Sequence, residues 1–421
     1  MKMKRVMLLA LVLSIFAASA AADVIYTTSD WSGAASVGTL GAIDENFNVK
    51  PNLLGNQTGD TLLFSFKDDG NERVIVVDKL FNLNGDRITV FDPKNWTVVK
   101  NGNQAWDGAT NIYDMAVSSV AALNGKLYVA GNGTFSPTKA AGAVFAASTS
   151  DYKLSGEKYT PATGDHAAHG VRVTVLGEHV YALFSVAGDI TGTYPDSTIP
   201  YSESKLVKLN SDLSPVAEYS AGKNASDMTP WNSGLAVAYY GGYQYAGPGT
   251  VGGIDFFHPA TGLVTRLVDG ESDLGGKMVL SVCGAGDALY FIGQDGYDST
   301  TKLYRLTGSI GNVSVKELDD ISSSTGYYYS VNYDAKNDTV VVLAGDSIVL
   351  YKNSGEKDMI ASFDSAALGG GAYSVAILGG AANTDGNGGS GGGGCDVGGV
   401  SGLLALVIPA FLLATRKKSR V

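Results

Sequence analysis

The chain of 421 residues has only two cysteines, Cys283 and Cys395. They cannot make a disulfide framework, so stability has to come from burial of apolar side chains. Histidine is scarce too, at four, which leaves little material for a histidine-built metal or acid–base centre. Basic residues number 30 against 41 acidic, and seven of the 30 (Lys2, Lys4, Arg5, Arg416, Lys417, Lys418, Arg420) lie at the two ends. Asp385 and Asp396 also lie at the C-terminal end, so the other 23 basic residues face 39 acidic ones and the body carries a net charge of about −16. Such a body suits solubility outside the cell and is a poor phosphate binder, so nucleic acid is not an expected partner. Long apolar runs occur only at the ends, and between them few segments show the 3.6-residue apolar period of helices. Also missing are the Gly-x-Ser-x-Gly elbow, His-Glu-x-x-His, the phosphate-binding Walker loop and the EF-hand loop. No catalytic residue, metal set or cofactor follows from the sequence.

The ends read as targeting. A basic start, an apolar run over residues 6–18 and the small residues Ala18-Ser19-Ala20-Ala21-Ala22 predict a secretory signal peptide over residues 1–22, cut after Ala22. At the other end, residues 381–395 form a Gly-rich tether closed by Cys395, and residues 396–421 contain a 16-residue apolar stretch (400–415) and a basic tail. The stretch is slightly short for a bilayer. The basic tail predicts a cytoplasmic end. GGGGC before an apolar helix and a basic end resembles the Synerg-CTERM type of sorting segment of Synergistetes envelope proteins, over about the last 30 residues. The resemblance implies that Cys395 is a lipidation site and that the helix is removed. The alternative is a plain transmembrane anchor. Either way the expected location is the cell envelope or cell surface, with membrane attachment at the C-terminus.

Between these ends lies a body, residues 23–380, rich in glycine (45 of the chain's 55) and tyrosine (all 22). Tight turns with Tyr- and Val-rich alternation predict many short strands. One kind of hairpin turns near Asp69-Gly70, Asn124-Gly125, Gly177-Glu178, Ser233-Gly234, Ala285-Gly286 and Lys336-Asn337, at spacings of 51 to 56 residues. A second kind alternates with it, as in Arg87-Ile-Thr-Val-Phe-Asp-Pro-Lys-Asn-Trp-Thr-Val-Val, with further turns near Thr149-Ser150, Gly308-Ser309 and Ser354-Gly355. Four strands per repeat of about 50 residues is the mark of a propeller. Two β-sandwiches would have no reason to keep such a period. The first unit lacks its innermost strand, and one strand, Ala372-Tyr-Ser-Val-Ala-Ile-Leu, is left over at the end. The fold class predicted is therefore all-β: a seven-bladed β-propeller closed by its C-terminal strand, plus signal peptide and C-terminal anchor helix. The strand-Asp-Pro-x-(Thr/Asn)-(Gly/Trp)-strand turns resemble the broad YncE-like and quinoprotein-like propellers.

In such a blade, the loops from strand two to three and from blade to blade share one face. Here they are the long ones, including 132–142, 187–204, 241–253 and 294–301. Long loops on a rigid scaffold are where binding usually resides. They carry Tyr194, Tyr201, Tyr243, Tyr245 and Tyr297 among small flexible residues, a composition suited to rigid amphipathic contact. His166-Ala-Ala-His169 would put two imidazoles on one metal if helical, yet no third ligand stands out. His166 and His169 join the five tyrosines as candidate ligand-binding residues. Cys283, in the strand-like Val279-Leu-Ser-Val-Cys, reads as a small buried apolar residue. The expected function is recognition or scaffolding for an envelope or extracellular protein, peptide or glycan. The alternative is an extracytoplasmic lyase or hydrolase with its site at the central mouth.

Overall fold

The computed structural model describes residues 22–29, 37–58, 60–68, 70–79, 87–101, 117–131, 142–164, 166–189, 199–242, 251–295, 300–324 and 328–378. These residues form seven four-stranded antiparallel sheets, the blades of a seven-bladed β-propeller. Blades two to seven follow the chain: residues 60–101, 117–159, 167–223, 225–269, 278–320 and 329–363. Blade one joins strands Ala22–Ser29, Val37–Asp44 and Val49–Thr58 to the chain's last strand, Gly371–Ile377, which pairs antiparallel with Ala22–Ser29. The leftover strand thus closes the ring, and closure leaves no edge open between first and last blade.

Period-two alternation builds the core. In Thr339–Ala344, the second strand of blade seven, Val340 and Val342 pack toward blade six, whereas Val341 and Leu343 pack toward blade one. Among the described residues there are seven apolar clusters, each centred on one gap between neighbouring blades. Cys283 is buried in the gap between blades six and seven, as its sequence context suggests.

The first strand of each blade lies against the first strands of both neighbours, so these seven strands surround the axis. Each runs from the face of long connections to the face of tight turns. On the latter, Asn124 (φ 51°) and Gly125 (φ 75°) make a two-residue turn with both central residues left-handed, the geometry that matches strand twist. Three turns lie one or two residues away from their sequence-based positions. Blade five turns at Asn232 (φ 45°) and Ser233 (φ 61°), not at Gly234. Gly234 already belongs to the strand, where a Cβ would run into the ring of Phe256. Blade six turns after Ala285, at Gly286, and later at Ile310-Gly311 rather than Gly308-Ser309.

Between blades seven and one, a single helical turn, Ser365–Leu368, is capped by Asp364, whose carboxylate accepts from the Ala367 N–H at 2.9 Å. Its buried end matters to closure, because the Tyr26 hydroxyl in blade one donates to the Leu368 carbonyl at 3.0 Å. Burial pushes the Tyr26 phenol up to about 12. No helix among the described residues is long and apolar enough to cross a membrane; the expected anchor, Cys395 and all of the expected signal peptide except Ala22, which begins a strand, lie outside the described residues.

Candidate functional site

The innermost strands carry an unusual load of buried polar side chains: Ser118, Ser119, His169, Arg172, Ser226, Asp227, Thr229, Ser281, Ser330, Asn332 and Ser374. A polar group taken from water has to be matched by a partner, and here the partners lie one blade away. Ser119 Oγ accepts from the Val173 N–H (3.2 Å) and Ser118 Oγ donates to the Gly170 carbonyl (2.7 Å), tying blade three to blade four. Arg172 Nε stands 3.4 Å from Asp227 Oδ1, joining blades four and five. Asp227 Oδ2 accepts from the Val282 N–H (2.9 Å) and the Ser281 hydroxyl (3.2 Å) of blade six. Ser281 Oγ in turn accepts from the Val331 N–H of blade seven at 3.2 Å. From the closing strand of blade one to blade two, Ser374 Oγ accepts from the Leu63 N–H (3.1 Å) and Ser65 donates to the Ile377 carbonyl (2.8 Å).

Asp227 is the centre of this ring. Desolvation pushes its carboxyl above the ordinary range, while Arg172, the N–H groups of Val282 and Met228 and the Ser281 hydroxyl pull the other way. A serine hydroxyl beside a carboxylate is the start of a nucleophile–base pair. Here it is sealed, with Ser281 at 0% and Asp227 at 1% exposure. Both groups hold neighbouring backbone instead of facing a substrate. Among the described residues no three His, Cys, Asp or Glu side chains are grouped as a metal site.

The two candidate histidines lie on non-helical backbone and in different surroundings. His166 is exposed in the connection entering blade four; its Nδ1 is 3.3 Å from Ser202 Oγ, and its carbonyl accepts from the Thr163 hydroxyl at 2.5 Å. His169 lies three residues on, within the strand Ala167–Leu176, buried and paired with Ser185. The helical geometry that would have aimed both at one ion is replaced by an extended one, in which neighbours alternate sides. Tyr201 sits near His166, half-buried, bridging to Ala187. Tyr194, Tyr243, Tyr245 and Tyr297 lie outside the described residues.

The connections on that face differ widely in length. Blade four joins its second and third strands across residues 188–202 and blade five across 240–252, whereas blade seven does so across Gly345 and Asp346 alone. Residues missed by sequence reasoning are the ring members Arg172, Asp227 and Ser281. Aligning the inner strands on the repeat would have found most of them, since bonded partners stand 50 to 55 residues apart.

No family model matches the sequence, and no curated protein matches it. Solved structures do. The periplasmic gluconolactonase of Pseudomonas aeruginosa superposes with a TM-score of 0.56 at 12% identity, over 84% of this chain and 98% of that one. A protein from Lactobacillus plantarum gives 0.55 at 14% identity, over 85% and 99%. The hydrazine synthase of Kuenenia stuttgartiensis gives 0.50 at 12% identity, over 72% and 87%. At such identities the likeness shows the propeller fold alone.

Proposed function

We propose that the protein is an exported, envelope-anchored recognition or scaffold module, which presents its long-connection face to an extracellular or envelope partner of protein, peptide or glycan type. The observation that carries this reading is the use made of the axial polar groups. Arg172, Asp227 and Ser281, the groups best suited to chemistry at the centre, are engaged between blades and shut away from solvent. What remains variable is the set of connections on one face of a rigid ring, the usual arrangement of a binding scaffold. The signal sequence over residues 1–22 and the tether, Cys395 and apolar segment over residues 381–421 support export and attachment.

The test has two parts. Intact mass of the protein from its native envelope reads the processing: a chain beginning at Asp23 and ending near Cys395 with added lipid is the expected result, and retention of residues 400–421 replaces lipidation by a plain anchor. Cross-linking in intact envelopes and glycan-array binding then read the partner. Hydrolase or lyase activity lost on His166→Ala/His169→Ala with the melting temperature kept, and no partner captured, would put the enzymatic alternative in its place.

A further inference from the structure

Among the described residues, the large apolar side chains left exposed are Phe47, Val98, Val99, Val216, Leu263, Val264 and Met359. They are not scattered. Phe47 lies in the turn between the third and fourth strands of blade one; the others lie in, or within three residues after, the same turn of blades two, four, five and seven. Antiparallel topology puts all of these turns on the tight-turn face. Leu263, at 63% exposure, and Met359, at 56%, are the extremes.

Both ends of the described chain also lie on that face. Ala22 pairs with Asp44 beside the blade-one turn, and the closing strand ends there at Ile377, opposite Val24. The 21 residues from 379 to 399, largely Gly, Ser and Asn, separate this exit from the apolar stretch 400–415. For a Gly/Ser-rich sequence of that length the expected root-mean-square reach is roughly 25 Å. Such a segment therefore holds the face close to whatever receives the apolar stretch, at a high effective concentration.

We propose that the tight-turn face is the membrane-proximal face, and that its apolar rim rests on the surface of the bilayer in which the C-terminal end is anchored, through lipid at Cys395 or through the apolar stretch 400–415. This rests on the anchoring put forward above. Rim side chains such as Leu263 and Met359 enter the interfacial region of the lipid, where apolar groups are favoured over water. Several lysines near these turns are held in ion pairs, Lys357 of the blade-seven turn with Asp319, Lys336 with Glu45 of the blade-one turn (3.4 Å) and Lys316 with Glu356 of the blade-seven turn (2.6 Å), so the contact proposed is chiefly apolar. The long-connection face is thereby turned outward.

The experiment uses the full chain in vesicles of phosphatidylethanolamine and phosphatidylglycerol, with amide hydrogen exchange read peptide by peptide. The chain is expected to sediment with the vesicles. Exchange around residues 45–48, 94–99, 211–216, 259–264 and 354–359 should slow several-fold relative to the vesicle-free chain, with 270–277 and 345–346 on the opposite face unchanged. A Val98→Asp/Leu263→Asp/Met359→Asp variant, altered only at exposed positions, should still sediment but lose that protection. If the chain sediments and the five turns exchange freely, or the opposite face is the one protected, the docking is wrong and the anchor stands. Protection that persists in the triple variant overturns the role of the rim. A chain that does not sediment at all overturns the anchor and the docking with it.

Discussion

The innermost and outermost strands of this ring are made from opposite materials. Inner strands bury serine, aspartate and arginine and match them across blade gaps. Outer strands follow simple alternation, as Pro215–Lys223 does with its exposed and half-buried residues, and leave valine, leucine and methionine in water. The polar groups at the axis link the blades to one another, because many of the bonds there span a gap. Surface pairs of the outer strands either stay within one blade, as Lys302 does with Glu317 at 2.8 Å, or cross to the next blade at exposed positions, as Lys316 does with Glu356 at 2.6 Å, where an ion pair contributes little. The apolar clusters fill every gap, and the buried polar links between blades are concentrated near the axis.

The largest test of this contrast is Asp227→Ala. It removes the acceptor shared by Arg172, Ser281 and the buried N–H groups of Val282 and Met228. Loss of a buried charge partner with its hydrogen bonds typically costs about 3–5 kcal/mol, to be read from the denaturant midpoint. Gly41→Val comes next. Gly41 pairs directly with Tyr26, and any Cβ there would overlap the Tyr26 ring; overpacking of this kind costs about 1–3 kcal/mol. Tyr26→Phe keeps the ring and removes only its bond to Leu368, so urea unfolding should register about 1 kcal/mol. Lys316→Ala, at an exposed pair with Glu356, should change stability by less than ~1 kcal/mol, and the change should disappear in salt.

Titration separates the same two regions by sign. Burial raises the Asp227 carboxyl, so the folded state holds its proton more tightly than the unfolded chain, and this contribution to stability fades as pH rises through the folded value. Asp320 is lowered by its bonds from the Ser322 hydroxyl and N–H, so its contribution is present above the ordinary carboxylate range and fades as pH falls through the folded value. Carbon-13 carboxyl titration should find the two displaced in opposite directions from an ordinary aspartate. Equal values would show that the axis is as wet as the rim.

The repeat was legible because its signals are local: turn residues and alternation recur at a fixed period, and the count of strands left over at each end foretold the closure by Gly371–Ile377. Turn positions were less legible where the rule for glycine competes with packing. Gly234 looks like a turn residue, yet it is needed where the backbone runs against Phe256, while Asn232 and Ser233 take the left-handed conformations. The axial ring was hidden for another reason. Asp227 looks like any aspartate in a strand until Arg172 and Val282, each 55 residues away, are set beside it. The spacing of His166 and His169 fits a helix as well as a strand, and only the extended backbone around them separates the two imidazoles.

The closing strand has a mechanical consequence. If the protein is held by its C-terminal tether, any drag on the body is delivered to Leu378 and so to Gly371–Ile377, along that strand's own axis. Its ladder to Ala22–Ser29 runs perpendicular to the pull, so the bonds are loaded side by side in shear and have to fail together. The strand that completes the ring is also the one through which the ring would be moored, and its neighbours on both sides, Ala22–Ser29 within the blade and Asp60–Asp68 across the gap, share the load.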